Sequence, residues 1–246
     1  MTEMKNFIIS SLLTILFVGC SSQPSIGPSE FPLEKGTTWV YSYKAYQPSA
    51  SDPAEIIEAT YQLTETVIKT EAISPYFVAQ VKKDYELINA DSGWIADIAS
   101  NQPGESWYIT SDHKLFESRI AIDTTNINTD DFLLAYDFPI SPGKSWCWLQ
   151  LDLKNPNQKE IVDCEFVGKR MVTNNGVYET PADKFADCYE LTDYSNGGNI
   201  IHWFCRGVGI VFRKFDHAGT RFGFEQTLIG YSTPYAFPLC PILMRK

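Results

Sequence analysis

FPLEKGTTWVY at residues 31–41 and FPISPGKSWCW at residues 138–148 are two copies of one pattern, F-P-[LI]-x-x-G-x-[ST]-W-x-[YW], set 107 residues apart. In each copy Pro and Gly fix a turn, and the Trp three residues past the Gly opens an alternating strand. Alternation puts Trp39 with Tyr41, and Trp146 with Trp148, on one face. Neither copy contains a reacting group. The one departure of chemical interest is Cys147, where the first copy has Val40. The pattern therefore reads as the entry strand of a β unit used twice.

Period-two alternation continues outward from both copies. Ile57, Ala59, Tyr61 and Leu63 alternate with Glu58, Thr60, Gln62 and Thr64, the signature of a half-buried strand. Further strands are expected at residues 39–46, 76–82, 106–110 and 114–120, and in the second half at 145–153, 160–172, 187–194, 200–206, 209–215 and 222–231. A single short helix is expected near residues 129–135, opened by Thr129 or Asp130. After each copy comes a similar series: an early strand, a Tyr-Glu-Leu strand (Tyr85 to Leu87, Tyr189 to Leu191), then a tryptophan-bearing strand. The expected fold class is all-β: two packed antiparallel β-sheet units, residues 31–137 and 138–246, arising from an internal duplication.

The N-terminus predicts destination. Lys5 precedes an apolar run over residues 7–18, too short to span a bilayer and suited to a cleaved signal peptide of residues 1–19. Phe17-Val18-Gly19-Cys20 resembles the lipobox of bacterial lipoproteins, which implies acylation (palmitate among the chains) of Cys20 and a stable membrane anchor. Residues 20–30, rich in Ser, Pro and Gly, read as a flexible tether. The expected location is the bacterial cell envelope, at the outer membrane if the source is Gram-negative.

A formal charge of −10 without a Lys/Arg cluster lacks the electrostatic footprint of a nucleic-acid binder. Aromatic residues at 14% and fourteen prolines argue for a folded, loop-rich β protein.

Five cysteines follow Cys20. Taking Asn196-Gly197 as a two-residue hairpin turn pairs Leu191 with His202, Tyr189 with Phe204 and Cys188 with Cys205. Alternation makes the cysteines a non-hydrogen-bonded pair, the closer kind, so a cross-strand disulfide is expected. The same count about Asn155-Pro156 pairs Cys147 with Cys164. Cys240 is left over, either free or intermolecular. No CxxC occurs and no histidine stands at ligand spacing from these cysteines, so zinc is not expected.

Catalytic motifs are scarce. There is no G-x-S-x-G, and neither Asp112-His113 nor Asp216-His217 is oriented by sequence adjacency, because strand neighbours point to opposite faces. His113 and His217 read as solvated loop residues, and His202 as a cross-strand packing residue. Asn126, Asn128, Asp130 and Asp137 fall on a calcium-loop count, but Asp131 stands where that loop needs Gly, so a polar turn is the reading. No phosphate loop follows any strand, and Gly207-Val208-Gly209 suits a tight strand connection. No cofactor, metal or catalytic residue is assigned.

The segment Thr180-Pro181-Ala182-Asp183-Lys184-Phe185, followed by Trp203-Phe204-Cys205-Arg206-Gly207-Val208-Gly209-Ile210-Val211, resembles a family of uncharacterised bacterial envelope lipoproteins. These carry PAGxF and WYAxGVGxV segments and often open with PLxxGxxW, as Pro32 to Trp39 does here. Asp183-Lys184 stands where the family commonly has a single Gly. The resemblance implies an exported β-sheet protein and brings no catalytic residues. The function expected is that of a lipid-anchored, non-catalytic binding or structural module of the envelope, with an apolar, glycan or protein ligand where it binds one. The competing expectation is an envelope hydrolase acting on glycan or ester substrates through unlocated carboxylates.

Overall fold

A computed structural model describes residues 30–74, 76–94, 104–118, 122, 132–147, 168–195 and 197–234. Among them the chain forms twelve strands: β1 (Thr38–Pro48), β2 (Ile56–Ile73), β3 (Tyr76–Ala90), β4 (Glu105–Ser111), β5 (Lys114–Ser118), β6 (Leu133–Asp137), β7 (Ser145–Cys147), β8 (Lys169–Glu179), β9 (Lys184–Ser195), β10 (Gly198–Cys205), β11 (Gly209–His217) and β12 (Gly223–Ser232). The alternation read from residues 57–64 is realised in β2, where Ile57, Ala59, Tyr61 and Leu63 are buried.

The strands form one antiparallel sheet in the order β6-β5-β4-β3-β2-β1-β12-β11-β10-β9-β8-β7. Two separately packed sheets were expected. Instead β1 pairs on one side with β2 and on the other with β12, so the ladder runs through without a break. The expected helix near residues 129–135 is also replaced. Leu133–Asp137 is a strand, because it pairs with β5 and buries Leu134, Ala135 and Tyr136, satisfying its backbone in a ladder. Thr129 and Asp130 lie outside the described residues, as do residues 148–167.

The sheet curls until its two ends meet. Tyr136 of β6 lies 4.8 Å from Phe204 of β10, and its ring sits 5.1 Å from the guanidinium of Arg170 in β8. Arg170 also donates to the carbonyl of Ala135, bridging from β8 to β6. The result is a nearly closed barrel whose inner face carries Trp39, Tyr41, Tyr61, Leu63 and Leu228. One end is plugged by Phe31, whose ring meets Trp39, Tyr108, Tyr136 and Phe204 from four different strands. There the Trp39 indole donates to the carbonyl of Val208 at 2.6 Å, and the amide of Gly207 donates to the carbonyl of Glu30 at 2.8 Å.

The repeated sequence makes the same structure twice. Gly36 and Gly143 adopt φ of +96° and +80°, a region open to Gly and strained for other residues. Each ends a tight turn, closed by Thr37 N to Glu34 O at 3.0 Å and by Lys144 N to Ser141 O at 3.1 Å. Gly36 then donates to Val67 O at 2.8 Å and Gly143 to Val172 O at 3.1 Å, with the return bonds Val67 to Thr37 and Val172 to Lys144 both at 2.9 Å. In consequence each copy's first Trp faces an inward charged residue: Trp39 opposite Glu65, Trp146 opposite Arg170.

Candidate functional site in the barrel interior

Side chains of directly paired residues share a face, so the ladder register identifies the interior. One row crosses the wall as Leu191, His202, Arg213, Gln226, Tyr43 and Tyr61, from β9 to β2. It is aliphatic at Leu191, polar through its middle and aromatic beyond. Arg213 stands between the fully buried His202 and Gln226, which is 4% exposed.

A second polar group lies on the wall formed by β2 to β5. Glu65 pairs with Lys83 across the β2–β3 ladder, and their charged atoms approach to 3.7 Å. Lys83 also approaches Glu117 of β5 at 3.9 Å, and the Ser106 hydroxyl donates to Glu117 at 3.4 Å. These side chains point inward yet are reached by solvent, with exposures of 16% for Glu65, 12% for Lys83 and 23% for Glu117.

Among the described residues Arg213 makes no hydrogen bond and no ion pair. Burial works against its charge, but Tyr136, Glu117, Glu65 and Tyr108 around it outweigh that, and its pKa lies above the ordinary arginine value. The facing phenols respond accordingly. Burial pushes Tyr41 and Tyr108 well up, with carboxylates adding to the effect and Arg213 opposing it. Burial pushes Tyr43 and Tyr136 up to about 12 each. Neutral phenols therefore stand beside Glu65, Glu117, Lys83 and Arg213 in the described part of the interior.

His202 is not a base poised for catalysis. Burial, with Arg170 and Arg213 adding to it, holds its pKa well below the ordinary histidine value. Its 3.8 Å approach to Asp193 is therefore a contact of a neutral ring and not an ion pair. The Asp193 carboxylate is already taken by Arg170, and both ring nitrogens of His202 lack a hydrogen-bond partner. His113 sits exposed in the β4–β5 turn at φ +63°, and His217 is bonded to Thr220 at 2.7 Å and stacked on Phe222 at 4.4 Å. Asp112 shares the turn of His113, and the Asp216 carboxylate is engaged by Tyr46 and Lys214.

Cys188 and Cys205 face each other in the register and are joined by a disulfide, with Cα atoms 4.0 Å apart. Their distance is that of the closer kind of antiparallel pair. Cys147 is buried and disulfide-bonded, while Cys164 lies outside the described residues. Cys20, Cys240, Asn126 and Asn128 lie outside them too. Gly207 and Gly209 adopt φ of +74° and +99° in a tight β10–β11 connection.

No protein-family model and no curated protein matches the chain. Two solved structures are similar to it. One, from Bacteroides fragilis NCTC 9343, is assigned as an exported protein with a YmcC-like fold: 15% identity, TM-score 0.44, covering 82% of this chain and 98% of the other. The second, from Parabacteroides distasonis ATCC 8503, is assigned as a lipoprotein: 13% identity, TM-score 0.41, covering 82% and 97%.

The interior charges were missed in sequence, although a signal for them was present. One further step in the Ile57-Ala59-Tyr61-Leu63 series lands on Glu65, and Arg213 stands between Val211 and Phe215 in the same phase. A charged residue in an inward phase is the readable anomaly.

Proposed function

We propose that the chain is a lipid-anchored protein of the bacterial envelope that holds a small polar ligand inside its barrel. Its location rests on the lipobox-like Phe17 to Cys20 and the tether behind it. The observation that carries the ligand reading is the solvent-reached interior, in which the inward Glu65 and Lys83 approach to 3.7 Å and the inward Arg213 makes no hydrogen bond or ion pair among the described residues. Inward charges cost stability unless paired or hydrated, so their presence favours a polar occupant and disfavours a purely apolar one. We also read residues 31–137 and 138–246 as descendants of one duplicated unit, supported by the two identical turns and by six consecutive strands in each half of the sheet.

Native mass spectrometry of the full-length protein released from detergent tests the reading. A polar co-purified molecule lost on Arg213→Gln is the expected result. An apolar adduct, or none in the unaltered protein, would count against it.

A further inference from the structure

His202, Arg213 and Tyr136 meet on one part of the inner wall. His202 of β10 and Arg213 of β11 are directly paired in the ladder and share the inner face. The Tyr136 ring of β6 stands edge-on to the His202 ring at 6.0 Å, so the curling of the sheet sets it beside that pair. Of the groups around it, Tyr136 does most to hold the Arg213 pKa up, in keeping with that closeness. All three residues carry polar atoms left unmatched. His202 is fully buried and Tyr136 is 3% exposed, yet both imidazole nitrogens and the phenol oxygen have no hydrogen-bond partner. Among the described residues Arg213 makes no hydrogen bond or ion pair. Buried polar atoms are normally matched, and each one left unmet costs stability. Arg213 is half-buried and not sealed, so solvent reaches the group.

Resting on the reading of the barrel as a receptor for a small polar ligand, we propose that His202, Arg213 and Tyr136 form a binding site for a monocarboxylate. A guanidinium, a phenol and a neutral imidazole are together rich in donors, and the guanidinium fork matches the two oxygens of a carboxylate. Those oxygens accept from Arg213 and from the Tyr136 hydroxyl, and one N–H of His202 completes the set. The protein carboxylate facing His202 is Asp193, 3.8 Å away and held by Arg170 through two bonds. A dianion would bring a second negative charge toward Asp193 in a desolvated space, so a single charge is favoured. A neutral amide of the same shape meets the same donors but forgoes the charge-assisted bonds, which are roughly twice as strong.

Isothermal titration of the full-length protein in detergent, at fixed ionic strength in a carboxylate-free buffer, compares sodium acetate with its neutral isostere acetamide. Chloride, phosphate and methyl glucoside complete the probe set. Acetate should bind at least about tenfold tighter than acetamide, and tighter than either inorganic anion. Arg213→Gln should abolish the preference for acetate over acetamide, and Arg213→Lys should keep part of it. Tyr136→Phe removes only a hydroxyl and should weaken acetate about tenfold. Lys214→Gln, on the outer face, should leave acetate binding unchanged. Acetate no tighter than acetamide overturns the proposal with no variant needed, as does chloride or phosphate bound more tightly than acetate. If acetamide or methyl glucoside binds where acetate has no advantage, the polar-ligand reading survives alone; if no probe binds, both fall.

Discussion

Arg170 grips Asp193 with two parallel bonds, Nε to Oδ1 at 2.5 Å and Nη2 to Oδ2 at 2.7 Å, with side chains only 7% and 4% exposed. The same guanidinium reaches the Ala135 carbonyl on the far edge strand, so one ion pair orients the clamp that draws the sheet ends together. Asp193→Ala leaves a buried guanidinium uncompensated and should lower unfolding stability by about 3–5 kcal/mol. Replacing both residues with Met and Leu should cost clearly less. Chemical denaturation of the three variants checks this; equal losses for single and double variants would remove the clamp argument.

The Cys188–Cys205 bond closes a loop with sequence separation 17 between the paired strands β9 and β10. Its loss frees the unfolded chain, and a Cys188→Ala, Cys205→Ala double variant should be less stable by about 3 kcal/mol. The register itself should persist, because the hairpin ladder from Ser195–Gly198 outward does not depend on sulfur. A lowered melting temperature with unchanged far-ultraviolet circular dichroism is the expected pair of results.

Stability should also fall on mild acidification. His202 is buried and neutral, with its folded pKa depressed first by burial and then by Arg170 and Arg213. The unfolded chain therefore takes up a proton near the ordinary value of about 6.5 while the folded chain does not. Stability is intact above that pH and declines below it, by up to about 1.4 kcal/mol per pH unit from this group. Unfolding curves between pH 7.5 and about 5 should show a shallower decline for His202→Phe than for the unaltered protein. Parallel slopes would show that His202 is not responsible.

Gly36→Ala and Gly143→Ala should each cost roughly 1 kcal/mol, because both positions need a positive φ. A Cβ at Gly143 meets nothing within 4 Å, and one at Gly36 meets Pro234 at an ordinary 3.6 Å. Backbone strain alone thus sets both values, and thermal denaturation should find the two variants alike. A much larger loss at one site would mean that the two turns are not equivalent in energy.

What could be read from the chain divides along the range of the interaction concerned. Alternation in residues 57–64, the turns at Gly36 and Gly143 and the Cys188–Cys205 register all follow from neighbours a few residues apart, where strand periodicity and turn chemistry act directly. The β1–β12 pairing joins residues such as Ser42 and Thr227, and no local pattern announces it, so a continuous sheet was read as two packed ones. Residues 133–135 were misread as helix for the same reason: their strand state is imposed by the ladder to β5. The interior site was harder still. Glu65 and Arg213 face one interior only when the whole sheet curls, although the inward phase of each was visible in its own strand.

The bond between Glu30 and Gly207 bears on how the molecule stands at the membrane. It pins Glu30 to the plugged end of the barrel, beside Phe31. If Cys20 carries the proposed anchor, the nine residues between it and Glu30 let the two stand at most roughly 35 Å apart when fully extended. The plugged end would then stay leashed close above the lipid, and the opposite rim, where Tyr46 meets Asp216, would point away into the surrounding compartment. Such an attitude would make the far rim the approach for any soluble visitor.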